Sequence, residues 1–193
     1  ADDSALLVLP RILRRVIKQD QHLPGLAFRV PHRKSYVIGG KRLLEFASLE
    51  ELGLDPQASL PDRVILIVRP DDEALSDMTA PALLTQCWRL LFHARVHVAL
   101  DQKIAAGKLP LAAVRARIDR IGQTEFDEIS AVIRQEDYLA AKASHHDLYV
   151  EFAAVYRELR YFAPNWLPTS FPSVIDFERI ADILSEDLAA EQL

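Results

Sequence analysis

After Met78 the apolar residues of this chain recur at helical spacing, and this period limits the fold more than any other feature of the sequence. The clearest segment has apolar residues at i, i+4, i+7, i+11 and i+14, namely Leu148, Phe152, Val155, Leu159 and Phe162. Pro164 then ends the helix. Because the connections between such segments are short, residues 79–193 are predicted to form a five-helix antiparallel bundle.

The preceding part, residues 1–78, has mixed patterns. A helix is predicted from Pro10, because apolar residues occupy one side of it and basic residues the other. Residues 35–38 and 41–46 flank Gly39-Gly40 and are predicted to form a β-hairpin. The β-branched run at 63–68 predicts a buried strand. The expected fold class is therefore α+β and predominantly α, with a small mixed domain followed by the bundle.

Composition excludes some classes of protein. No apolar run approaches the ~18 residues that a membrane span needs, so membrane insertion is not expected. The single cysteine, Cys87, cannot form an internal disulfide, which favours a reducing, cytoplasmic location. The chain begins with Ala rather than Met, so one interpretation is that it is a domain of a larger protein.

Charge is segregated along the first part of the chain. Nine Lys or Arg and only one acid lie at positions 10–42, whereas positions 43–78 hold nine acids and two Arg. Segregation of this kind is typical of an interaction surface. The leading hypothesis is a non-enzymatic interaction or regulatory module whose partner is a protein with an acidic surface. The partner-binding residues would be Arg11, Arg14, Arg15, Lys18, Arg33, Lys34, Lys41 and Arg42.

Two other interpretations of this basic tract stay open. The same residues on a helix and a hairpin would suit a phosphate backbone, so nucleic-acid binding is an alternative function. Alternatively, the basic tract pairs with the acidic tract inside the protein, and the segregation is structural. The sequence itself does not choose among these three.

A third function would depend on His93 and His97, which lie at i and i+4 of the long helix predicted from Thr79 to Ala106. Two imidazoles at this spacing can share a metal ion, and the third ligand would come from His145, His146, Asp147 or Glu151. The alternative is thus a metal-dependent helical-bundle enzyme. The zinc-protease motif HExxH is not present, because Ala94 occupies the position of its glutamate.

The simplest interpretation of the two histidines involves no metal. The long helix is apolar nearly all round, which predicts that it is buried centrally, with both imidazoles hydrogen-bonded to neighbouring groups. His145 and His146 are predicted to lie in a loop before the next helix. No phosphate-loop, dinucleotide, nucleophile-elbow or calcium-loop motif is present, so no cofactor is predicted.

Overall fold

The computed structural model describes residues 4–23, 34–136, 138–139 and 143–188. The strands are β1 (Ala5–Val8), β2 (Ser35–Gly39) and β3 (Arg63–Val68). The helices of the first half are α1 (Pro10–Asp20), α2 (Gly40–Leu43), α3 (Asp72–Asp77) and α4 (Ala80–Ala105). Those of the second half are α5 (Leu111–Ile121), α6 (Gln123–Gln135), α7 (His145–Phe162), α8 (Leu167–Ser170) and α9 (Phe177–Ser185), with a 3-10 turn at Pro164–Trp166.

The fold class predicted from the sequence, α+β and predominantly α, is confirmed. Contacts divide the chain into two compact units, Ala1–Ala94 and Arg95–Leu193. The point of division falls inside α4, which continues through it as one helix.

A three-stranded sheet with the order β1-β3-β2 organises the first unit. β1 runs parallel to β3, with Ala5 opposite Ile65, and β2 runs antiparallel to β3, with Gly39 opposite Arg63. Helix α1 packs its apolar side against this sheet. The predicted strand at 63–68 is confirmed with the same ends, because an uninterrupted β-branched run suits a central strand.

The predicted β-hairpin around Gly39-Gly40 is wrong. β2 pairs with β3 rather than with the segment that follows it, and that segment begins a short helix at Gly40. Gly39 has an extended conformation, with φ −66° and ψ 136°, instead of the positive φ of a two-residue hairpin turn. Gly40 is needed for a different reason: a Cβ there would lie 2.2 Å from the carbonyl oxygen of Pro61.

Helix α7 forms the centre of the second unit. Every residue from Leu148 to Tyr156 is buried, and α7 packs against α5, α6 and α8. The ring of Phe152 makes edge-to-face contacts with Phe126 and Phe171, whose centroids lie 6.2 and 5.4 Å away. The prediction of central burial for α4 holds for only part of the helix: Val96 and Leu100 have no exposed surface, but Leu84 and Trp88 are 59% and 60% exposed.

The hydrophobic character of α4 does not make it a membrane span. Within the described residues, no helix combines the length and the apolar character needed to cross a bilayer. Cys87, near the exposed pair on α4, is half-buried.

Replacing Gly40 by Ala should destabilise the first unit, because the new Cβ would collide with the Pro61 carbonyl, a backbone group that cannot simply rotate away. We expect a loss of about 1–3 kcal/mol, the usual effect of overpacking. Gly39→Ala is the matched control, since its Cβ would meet its nearest neighbours at 3.7 Å. Urea unfolding of both variants checks this, and equal stabilities would contradict the close approach.

Candidate metal centre

Helix α4 carries two imidazoles on one side. His93 and His97 lie one helical turn apart, and side chains at this spacing are neighbours on the helix surface. The boundary between the two units, at Ala94 and Arg95, falls between His93 and His97, but both histidines belong to the same unbroken helix. Their mutual placement is therefore fixed by helix geometry.

Helix α7 supplies an acid, Glu151. A capping box fixes the start of this helix: the Ser144 hydroxyl accepts from the Asp147 amide, and the Asp147 carboxylate accepts from the Ser144 amide. Glu151 lies one turn later, in the buried part of α7, and its side chain has no exposed surface. Its Oε2 is 3.2 Å from Nε2 of His97.

The three side chains form a cluster of potential metal ligands. Each of His93, His97 and Glu151 offers one ligand atom, and these atoms all lie within 4.8 Å of one another. Zinc binds imidazole nitrogen and carboxylate oxygen at about 2.0–2.2 Å, which separates the ligand atoms of a tetrahedral site by about 3.4 Å. The His97–Glu151 pair already has this separation, and the remaining distances need to close by about 1.4 Å at most, which small side-chain rotations allow.

The burial of Glu151 has an electrostatic cost if its carboxylate is ionised. A carboxylate that is removed from water loses several kcal/mol of hydration, so buried carboxylates are paired with cations or bind metals. His97 lies within ion-pair distance of Glu151. A metal ion shared with His97 would supply positive charge at this position.

Of the four third-ligand candidates, the structure brings Glu151 to the histidines. The other three lie in the first turn of α7, which begins at His145, so the predicted loop there is wrong. His145 is exposed, Nε2 of His146 lies 3.3 Å from the Leu109 carbonyl oxygen, and Asp147 caps the helix. The signal that was missed is Ser144-x-x-Asp147, which marks the start of the helix four residues before Leu148.

A separate buried polar network holds the C-terminal segment of the second unit against α7. The Tyr149 hydroxyl donates to Asp187 Oδ2 over 2.6 Å, and the same carboxylate accepts from Arg117. Burial, together with the hydrogen bond to Asp187, raises the pKa of Tyr149, so its hydroxyl stays protonated. The network fixes α7 two residues before Glu151.

The basic residues predicted to bind a partner are not a uniform surface. The Nη2 of Arg15 donates to both carboxylate oxygens of Glu51, at 2.8 and 2.9 Å. Arg42 pairs with Asp20 at 3.0 Å and with Glu45 at 2.7 Å. The pairs with Glu51 and Glu45 join the basic tract to the acidic tract, as the internal-pairing interpretation expects, whereas Asp20 belongs to the basic tract itself.

The remaining members of the basic set differ in exposure. Arg11, Arg14, Lys34 and Lys41 are exposed, Lys18 is half-buried, and Arg33 lies outside the described residues. The four exposed residues are therefore the part of the set that is best placed to meet a partner.

Comparisons with known protein families, with curated proteins and with solved structures found no match to this chain. The interpretation of the site consequently depends on its own geometry and chemistry.

The ion pair between Arg15 and Glu51 gives a testable titration. The hydrogen bond from Arg15, with a second from the Ser48 amide, lowers the pKa of Glu51. In Arg15→Gln this pKa should rise towards its ordinary value of about 4.3, although the Ser48 amide still donates. NMR titration of the Glu51 carboxyl group measures this pKa. Arg14→Gln is the control, because it removes the same charge from the same helix.

The sign of the stability effect follows. Because the pKa of Glu51 is lowered by folding, its contribution is present at neutral pH and is lost as the pH falls through that lowered pKa. The stability difference between wild type and Arg15→Gln should therefore vanish in acid. A Glu51 titration that is the same in all three proteins would contradict the ion pair.

Proposed function

We propose that this protein binds one divalent transition-metal ion, zinc by preference, through His93, His97 and Glu151. The observation that supports the proposal is the convergence of three ligand atoms within 4.8 Å, one of them from a carboxylate with no exposed surface. Two imidazoles and one carboxylate are a donor set used for zinc and for non-haem iron. Zinc is preferred here because it imposes no geometry of its own and tolerates ligands from helices that are already packed.

An ion at this position would also solve the charge problem of Glu151. The carboxylate would be neutralised by the metal, and both imidazoles would bind as neutral ligands. The ion pair joins Glu151 to His97, whereas a metal ion would bind His93 as well. The metal-dependent alternative is therefore supported by the three-residue cluster, and not only by the spacing of the two histidines.

Metal analysis of the purified full chain tests the proposal. After loading with zinc and dialysis, wild type should retain one ion per chain, and His93→Ala, His97→Ala and Glu151→Gln should each lose it. At a free zinc concentration 100 times the Kd, the free energy of unfolding should rise by about 2.7 kcal/mol. Parallel loading with iron and manganese establishes the preference.

Two controls separate ligand loss from general damage. His145→Ala removes an exposed imidazole of α7 that lies outside the cluster, and it should retain the ion. Tyr149→Phe removes a buried hydrogen bond of the same helix, so it should lose about 1–3 kcal/mol of stability yet still bind metal. No stoichiometric metal in wild type, or equal retention in the three ligand variants, would refute the site.

A second candidate function is the interaction module at a cytoplasmic location, and the exposure of Arg11 and Arg14 on α1 favours it. The partner would be a protein with an acidic surface, with nucleic acid as the alternative. The pairing of Arg15 and Arg42 with neighbouring acids reduces the surface that is available for such a partner.

Two probes distinguish the partners, poly-glutamate and random-sequence duplex DNA. An Arg11→Glu/Arg14→Glu double variant should lose poly-glutamate binding while unfolding within about 0.5 kcal/mol of wild type, because both side chains are exposed. Lys108→Glu/Arg115→Glu makes the same change in net charge at exposed positions of the second unit and should bind normally. A DNA affinity whose logarithm falls linearly with log salt would favour nucleic acid instead. Equal effects of both double variants would show that only net charge matters.

A further inference from the structure

The number of ligands at the candidate metal centre has a chemical consequence. Among the residues that the structure describes, three ligand atoms converge, and zinc takes four ligands. Structural zinc sites fill all four positions with protein groups, whereas catalytic sites keep one for water or substrate. We propose that the ion bound here keeps one coordination position for a small monodentate anion, which replaces a water molecule. This inference rests on the proposed function.

The burial of the three side chains indicates where this position lies. Glu151 has no exposed surface and His93 is buried, but the side chain of His97 is 16% exposed. An incoming ligand therefore approaches along the His97 side of the ion. Because only this small part of the cluster is exposed, a ligand of a few atoms is favoured over a polymer.

The charge of the site favours an anion. A divalent ion carries +2, the Glu151 carboxylate contributes −1, and the two imidazoles bind as neutral ligands. The centre therefore has a net charge of +1 in a surrounding from which water is largely excluded. A monoanion would neutralise it, and electrostatic attraction is stronger where solvent screening is weak.

The residue after His93 limits what the bound water can do. Ala94 is buried and offers a methyl group where the HExxH helix places a general base. The metal still lowers the pKa of its water, but α4 provides no carboxylate next to His93 to accept the proton. Ligand exchange, rather than peptide hydrolysis, is therefore the chemistry that these residues support.

Cobalt substitution tests the open position. The full chain is treated with a chelator to remove any bound metal and is loaded with Co²⁺, and the visible absorption of the ion is followed while sodium azide is added. We expect bands of a four- or five-coordinate ion that change saturably with azide, with one azide per cobalt. The His145→Ala protein should give the same titration, and Glu151→Gln, which preserves the shape of the side chain, should lose the bound cobalt.

The outcomes separate the two proposals. Stoichiometric Co²⁺ whose spectrum does not respond to azide would overturn the open position and leave metal binding intact. Failure of the folded wild type to bind either ion would overturn metal binding itself. An azide response that persists in Glu151→Gln at the wild-type cobalt affinity would place the ion elsewhere, which also overturns the inference.

Discussion

The contact between Glu151 and His97 is the constraint that most shapes the second unit. Glu151 lies in the middle of the stretch of α7 from Leu148 to Tyr156, in which every residue is buried. Replacing a buried ion pair by apolar residues of similar size is often neutral or stabilising. Burial of a carboxylate at this position is thus weak evidence of a contribution to stability, and the imidazoles beside it are the reason for proposing a metal site.

A proton or a metal ion would each neutralise Glu151, but the two differ in what they require of α4. A proton needs one imidazole at ion-pair distance, which His97 provides at 3.2 Å. A metal needs several ligand atoms at once, and His93 adds another within 4.8 Å. The second imidazole, one turn away on the same helix, is therefore what the metal proposal uses in addition to the ion pair.

The sequence predicted those parts of the fold that depend on local pattern. β3 was found with its correct ends because its β-branched run has no competing interpretation. The hairpin prediction failed because the role of Gly40 depends on its contact with Pro61, which is distant in sequence. Turn rules use only the neighbouring residues and cannot include such a contact. Central burial was assigned to α4 from its apolar composition, but α7 has that position although it contains Glu151.

The same distinction applies to the site. The spacing of His93 and His97 follows from helix geometry, so sequence alone was enough to pair them. Choosing Glu151 from four candidates required the register between α4 and α7, which no local pattern encodes.

The segregated charges of the first unit lead to a related conclusion about surfaces and interiors. Arg15 and Arg42 belong to the basic tract, yet both contact carboxylates, and one of those carboxylates, Asp20, lies on α1 itself. Acidic and basic side chains that are separated along a sequence are partly mixed on the surface once helices and turns fold together. A basic tract in the sequence therefore overstates the electrostatic field that a partner meets. A single buried carboxylate has the opposite character: it contributes little to the charge pattern of the sequence, yet its removal from water is costly unless it is paired, protonated or bound to a metal. The charge pattern along the chain is therefore a weak guide to the electrostatics of any one position in the folded protein.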